Sequence, residues 1–247
     1  MNKHTLPRLV ALSALFIKEQ LKEPIALFWV MLSPTAVFYL VAYSRAGSAF
    51  FDTPYRESTS WFYAYIASSV SLFGFALYII GRRESGFMRS FIYTHRAKCL
   101  FLFAHFLAYS CIALVYCAVF YAGTFFSFGA FNLYQFFEIL LRFYICFIIF
   151  GTPALLLTLL PINFQTANTL FSIASLSLLV LGILSTHQTA PLIERINLAN
   201  PLTLSNRIML NGVDSNLLLI TAGIVLFFCT LLLTLRFLRI NPVWSRY

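Results

Sequence analysis

The stretch that decides the topology of this chain is GRRESGFMRSFIYTHRAKC, residues 81–99. It carries five cationic side chains and lies between two long apolar segments. Cationic loops of membrane proteins are retained on the cytoplasmic side. With an acidic residue, a glycine and an amphipathic run, the segment is typical of a contact site for a soluble partner. We therefore expect the work of the protein to be driven from outside its own sequence.

The composition is that of an integral membrane protein. Of the 247 residues 60% are apolar and 10% are charged, and the mean hydropathy is +0.84. A soluble domain carries about 25% charged residues. The net charge of +9 would suggest nucleic acid in a soluble chain, but here the cations flank apolar segments, where topology and anionic lipid headgroups explain them. We expect contact with membrane lipid and no nucleic acid.

The hydropathy pattern predicts an all-α protein of six transmembrane helices in a single domain, residues 1–247. A span needs about 20 apolar residues, and the fifth predicted span is short. Twelve cations fall on the side of the 81–99 loop and four on the other, so both termini are expected in the cytoplasm. The predicted spans are 25–44, 61–80, 100–126, 133–158, 169–184 and 215–236.

Residues 6–23 alternate apolar and charged side chains at helical spacing before the first span. Such a helix can lie in the membrane interface, although a solvated N-terminal extension remains an alternative. Pro24 is expected to end it and to start the next helix. Its predicted polar face consists of Lys18, Glu19, Lys22 and Glu23.

Residues 185–214 are too polar for a span but contain apolar clusters among prolines and asparagines. Two short amphipathic helices that enter the outer leaflet would explain both facts, because irregular backbone at that depth is tolerated only against protein or water. The short fifth span favours this re-entrant segment. An ordinary surface loop remains the alternative.

Three motifs, taken in order around six spans, resemble the permease subunits of type-2 ABC exporters. KEQLKEP at 18–24 resembles the interfacial helix of that family, RESG at 83–86 with MRSF at 88–91 its cytoplasmic coupling helix, and NPLT at 200–203 its outer re-entrant segment. The chain departs from the family at His95, where a proline is usual, and at His105, where a lysine is common.

The resemblance implies that the 81–99 loop couples to a separate ATPase subunit, present in two copies, through Arg83, Glu84, Gly86 and Arg89. It also implies a second permease copy, giving a homodimer in the bacterial inner membrane. The expected cargo is a small drug, antibiotic or peptide. Export of a polysaccharide or a lipid is the alternative.

The motifs for chemistry within the chain are missing from the sequence. A phosphate-binding loop needs G-K-[ST], and none of the four lysines follows a glycine. ATP and Mg are therefore expected in the partner ATPase, with no cofactor, no metal and no enzymatic activity in this chain. A self-sufficient secondary transporter is the rival hypothesis, and it would need ionisable groups at mid-membrane.

Two sets of polar residues fall within the predicted spans. Glu138 and Arg142 lie four residues apart on one helix face. They form either a functional pair or a structural ion pair near the outer interface, and we favour the structural ion pair. A second set either packs helices closely or, as the resemblance implies for spans one, two and five, lines the transport route. This candidate route consists of Tyr65, Ser69, Ser172 and Ser175.

Overall fold

A computed structural model describes residues 5–45, 51–88, 92, 94–129, 131–187, 195, 197 and 200–238. Throughout these ranges the regular structure is helical. The helices are α1 (Thr5–Leu21), α2 (Pro24–Arg45), α3 (Tyr55–Ser69), α4 (Leu77–Glu84), α5 (His95–Phe125), α6 (Leu133–Thr158), α7 (Phe164–His187), α8 (Pro201–Asn211) and α9 (Leu217–Phe237). A π-helical segment, Val70–Ala76, joins α3 to α4, and a 3₁₀ turn, Asp214–Asn216, precedes α9.

Five helical stretches in the described ranges are long and apolar enough to cross a membrane, as expected of a multi-pass membrane protein. The first predicted span, 25–44, lies within helix α2, Pro24–Arg45, which is not among these five stretches. The prediction of six spans therefore stays a prediction. The five stretches are Tyr55–Glu84, His95–Phe125, Leu133–Thr158, Phe164–Leu181 and Asp214–Phe237.

Helix α6 lies at the centre and packs against α3, α5, α9 and the π-helical segment. Its contact with α9 is close because small residues face large ones. A Cβ atom on Gly151 would lie 2.6 Å from the Phe227 ring, and one on Gly223 would lie 2.9 Å from Ile149. Small residues that let helix backbones approach are typical of membrane bundles.

Helix α1 forms where the sequence predicted it and packs along α5. The Ser13 hydroxyl donates to the Ala104 carbonyl at 3.0 Å, and Phe16 is buried. The chain turns after Leu21 and resumes as α2 at Pro24, so the break at this proline is confirmed.

The helix that contains the fifth predicted span is longer than that span. Helix α7 runs from Phe164 to His187, 24 residues, while its membrane-candidate stretch, Phe164–Leu181, has 18 residues and is the shortest of the five. The re-entrant segment stays a prediction. Of the predicted segment 185–214, residues 188–194, 196, 198 and 199 lie outside the described residues. One short helix, α8, is present and packs against α3, α6 and α7, while its depth in a membrane stays a prediction.

The segment 81–99 is shorter as a loop than predicted, because its ends are helical. Helix α4 continues to Glu84, and α5 begins at His95, where the Thr94 side chain accepts a hydrogen bond from the Ala97 N–H at 3.2 Å. We call the end of the bundle that carries this loop the basic end. The opposite end, where α3 and α6 begin, is the far end.

Candidate functional site

Arg83 lies inside the bundle at the basic end, with only 1% of its surface exposed. Its guanidinium donates to the backbone carbonyls of Thr158 at 2.8 Å, Leu160 at 3.1 Å and Ile162 at 2.6 Å. Carbonyls at the C-terminal end of a helix lack intrahelical donors and carry partial negative charge. The rigid fork of N–H groups lets one arginine reach several of them. Arg83 therefore fastens α4 to the end of α6 and to the connection that follows.

Glu84, the next residue, serves the following helix. Its exposed carboxylate accepts a hydrogen bond from the Phe164 N–H, the first of α7, at 2.6 Å. A negative charge at a helix N-terminus is favourable. Arg83 and Glu84 thus bind the C-terminal end of one helix and the N-terminal end of the next, and we call this pair the brace.

Gly86 ends α4 two residues beyond the brace. Its φ angle is +78°, a left-handed conformation that glycine adopts without the steric penalty of a Cβ atom. Its N–H donates to the Arg83 carbonyl at 3.4 Å. The glycine turn therefore redirects the chain directly after the brace, and Phe87 and Met88 pack back onto the bundle.

A second polar cluster joins α1 to α4. The Arg82 guanidinium and the Tyr78 hydroxyl both donate to the Glu19 carboxylate. The same guanidinium lies over the ring of Tyr78 at 4.7 Å and over that of Phe87 at 4.8 Å, where cation–π attraction adds to the ion pair. Helices α3 and α4 and the π-helical segment between them form one continuous rod, Tyr55–Glu84, which ends in the brace. We call Glu19, Tyr78 and Arg82 the latch, because they hold α1 against this rod.

A cleft of about 1260 Å³ lies next to the latch, between α2, the α3–α4 rod, α5 and α7. Three of the four candidate route residues, Tyr65, Ser69 and Ser172, line it together. Ser175 is buried and is not among the lining residues. The structure therefore brings together predicted route residues from two helices that are about a hundred residues apart in the sequence.

Hydroxyl, amide and aromatic groups dominate the cleft, and its charged lining residues in the described ranges are Glu23 and Arg82. Within it the Tyr109 hydroxyl donates to Oε1 of Gln20 at 2.7 Å. Apolar and aromatic walls with a few placed polar groups are typical of sites for small molecules. This cleft therefore suits an amphipathic ligand.

The predicted pair of Glu138 and Arg142 belongs to a larger cluster at the far end. The Glu138 carboxylate binds both Arg142 and Arg56. Arg142 also donates to the carbonyls of Met209 at 2.7 Å and Leu210 at 3.3 Å, near the end of α8. The cluster links α3, α6 and α8, a geometry that favours a structural ion pair.

The asparagines before α8 tie this short helix to α7. Asn200 caps it by accepting the Leu202 N–H at 2.9 Å, and its amide donates to the Leu178 carbonyl at 3.0 Å. The Asn197 amide donates to the Leu181 carbonyl at 2.8 Å. Asn200, the first residue of the NPLT motif, therefore fixes the start of α8 against α7.

The structure separates the residues that the resemblance assigned to coupling. Arg83 is buried, so any part that it has in coupling would act through the brace, and its assignment to coupling stays a prediction. Glu84 is accessible, whereas Arg89 lies outside the described residues. Lys18 and Lys22 are exposed on and just after α1.

Sequence reasoning missed the latch. Tyr78 and Arg82 lie four residues apart, a spacing that places them on one helix face, and this was an available signal. Their meeting with Glu19 could not be read in advance, because it depends on how α1 packs.

The fold and the site define a multi-pass, all-helical membrane protein with a cleft bounded at its basic end by a latch and a brace. No family model matches the sequence. The chain is similar to Protein McbE of Escherichia coli, with 28% identity over 235 residues, which make up 95% of this chain and 97% of that protein. The likeness extends over nearly the full length of both chains. The name of that relative states no activity.

Proposed function

We propose that this chain is the membrane-spanning permease subunit of an ATP-driven ABC exporter. It would move a small drug, antibiotic or peptide out of the cell, with ATP and Mg bound by a separate ATPase subunit. The observation that carries the proposal is the brace. The exposed turn at Glu84 and Ser85 is joined through two adjacent residues to the facing ends of two long helices, as a device that transmits force from a partner requires.

The brace gives a partner leverage on the cleft. A push on the loop after Gly86 would act on Glu84 and Arg83, and through them on the end of α6 and the start of α7. Asn168 and Ser172, on the first turns of α7, line the cleft. Closure of two ATPase copies would therefore change the shape of the cleft without direct contact between nucleotide and cargo.

A second copy of the chain would complete the route. Helix α7 lines the cleft through Asn168 and Ser172 and also carries exposed apolar side chains, among them Ile173 and Leu176. We place the complex in the bacterial inner membrane with both termini and the basic end in the cytoplasm, because the basic loop follows the positive-inside rule. Membrane lipid would cover the remaining apolar surface.

The first experiment is affinity purification of the tagged chain from native membranes in mild detergent, with mass spectrometry of the proteins that co-purify. We expect a stoichiometric subunit with a phosphate-binding loop. A folded chain that purifies alone would contradict the proposal. Transport by the reconstituted chain alone, driven by an ion gradient, would then identify the secondary transporter.

The cargo is tested separately. Export of candidate peptides and drugs from cells is compared with export of labelled lipid and polysaccharide, with the chain present and deleted. Loss of polymer or lipid export alone would assign the alternative cargo class and leave the ABC permease role in place.

A further inference from the structure

The rod from Tyr55 to Glu84 changes its helical geometry halfway. Within Val70–Ala76 the hydrogen bonds take π-helical spacing, and the Leu77 N–H donates to the Leu72 carbonyl, five residues earlier. π-Helices are rare and occur often at functional sites. Here the segment lies between α3, which carries Tyr65 and Ser69, and α4, which ends in the brace. Any turning of α4 against α3 has to take place in it.

A histidine of the neighbouring helix binds this segment. His105 is completely buried, and its Nε2 lies 2.9 Å from the Phe75 carbonyl oxygen. Because a carbonyl only accepts, Nε2 carries the proton. The imidazole stacks on Phe75 at 5.1 Å and on Tyr78 of the latch at 4.8 Å. His105 therefore contacts both the π-helical segment and the start of the latch.

The other imidazole nitrogen of His105 adds a free-energy cost to burying this side chain. In the described part of the chain Nδ1 of His105 is buried and meets no hydrogen-bond partner. Burying a polar atom without a partner costs free energy, and an apolar side chain would pack here without that cost. The hydrogen bond to Phe75 is thus the specific gain that histidine brings.

Two further contacts fix the same segment in its present register. A Cβ atom on Gly74 would lie 2.5 Å from the Tyr109 ring, so α5 packs directly on the backbone. The Ser71 hydroxyl donates to the Phe147 carbonyl of α6 at 3.1 Å. A shift of one residue would move Ser71, Gly74 and Phe75 away from their partners together.

We propose that His105 sets the register of the π-helical segment, and that this segment is the joint about which α4 turns relative to α7. One residue of slip turns an α-helix by about 100°, enough to carry the cleft-lining face of α4 away from the cleft. The joint is where motion applied at the brace would reach the cleft. This role in transport rests on the proposed function, whereas the control of register does not.

The register can be read with a cross-link between α4 and α7. A Cβ atom on Gly81 would lie 3.3 Å from the Phe164 ring, so Gly81→Cys and Phe164→Cys face each other. The purified chain, with its native cysteines replaced, is treated with a short thiol cross-linker. The same pair is then tested with His105→Leu and with His105→Gln, whose amide N–H can still donate to the Phe75 carbonyl.

The yield of cross-linked chain should fall severalfold with leucine and stay near the wild-type level with glutamine. An unchanged yield with leucine would overturn the proposal, and so would equal losses in two folded variants. Neither result depends on an ATPase partner or on transport. Failure of the exporter assignment is therefore distinguishable from failure of the joint.

A second variant covers the case in which His105→Leu does not fold. Deletion of Leu72 removes the extra residue of the π-helical segment, so the rod can form as a plain α-helix in the same register. In that background the chain with His105→Leu should fold and cross-link as the wild type does. A folded double variant that fails to cross-link would refute the assignment of register control to His105.

Discussion

At the scale of single residues, Glu84 is the place where a change of charge should separate coupling from folding. Glu84→Lys replaces an acceptor at the start of α7 with a cation, which the helix dipole disfavours by about 0.3–1 kcal/mol. Glu84→Gln keeps an oxygen that can accept the Phe164 N–H. We expect ATP hydrolysis by the complex in lipid nanodiscs to fall severalfold with lysine and slightly with glutamine.

The control for that experiment is Glu57→Lys. Glu57 also lies in the first turn of a helix and is exposed, but it belongs to the far end. It should leave the hydrolysis rate and the amount of chain in the membrane unchanged. Equal losses with Glu57→Lys and Glu84→Lys would mean that net charge, rather than the brace, governs coupling.

The brace shows how far residue patterns reach. The order of charges in RESG predicted that Arg83 and Glu84 work at one site, but not that they serve two different helix ends. Arg82 and Arg83 are equivalent in composition, and only the phase of α4, about 100° per residue, directs one to the latch and the other inside. Whether Arg83 is buried depends on where α6 ends, and this is set by tertiary packing rather than by the local sequence.

At the scale of elements, the π-helical segment depends on the absence of a side chain at Gly74. Gly74→Ala would bring a methyl group to within 2.5 Å of the Tyr109 ring. Overpacking of this kind costs about 1–3 kcal/mol, and the Tyr109–Gln20 hydrogen bond would be displaced with the ring. We expect a lower midpoint of thermal unfolding in detergent.

Gly81→Ala, in the same rod, is the matched control. Its added carbon would lie 3.3 Å from the Phe164 ring, where a small shift relieves the contact, so the midpoint should stay near that of the wild type. If the two variants unfold at the same temperature, the close approach of α5 to the π-helical segment contributes nothing to stability.

Helix positions followed from hydropathy, whereas irregularities inside them did not. The predicted fourth span, 133–158, coincides with α6, because Asn132 caps its start and apolar residues fill it. The π-helical segment was invisible, since one extra residue in an apolar helix leaves no break in a polar face. The start of α7 was missed although Asn163, whose side chain accepts the Thr166 N–H at 2.7 Å, is a typical cap.

At the scale of the whole molecule, the two ends of the bundle are built differently. The far end is held by a cluster of three charged side chains that joins α3, α6 and α8. The basic end is held by the brace and the latch, which join the exposed end of α4 and helix α1 to the walls of the cleft. A molecule with this asymmetry is suited to receive force at its basic end while its far end stays fixed.

The proposed second copy should pack on α7 rather than on α9. Both helices expose apolar side chains, with Leu176 of α7 at 63% and Leu232 of α9 at 65%, so exposure alone does not choose between them. Of these two helices, only α7 contributes described residues to the lining of the cleft, and a route formed by two copies needs the second copy beside a wall of the cleft. Leu176→Trp should reduce the dimer fraction severalfold, counted by photobleaching steps of labelled chain in lipid vesicles, because a bulky ring disturbs close helix packing.

Leu232→Trp, which adds the same ring to a surface facing lipid, should leave the dimer intact. A monomeric wild-type chain, or a dimer broken by Leu232→Trp alone, would refute this arrangement.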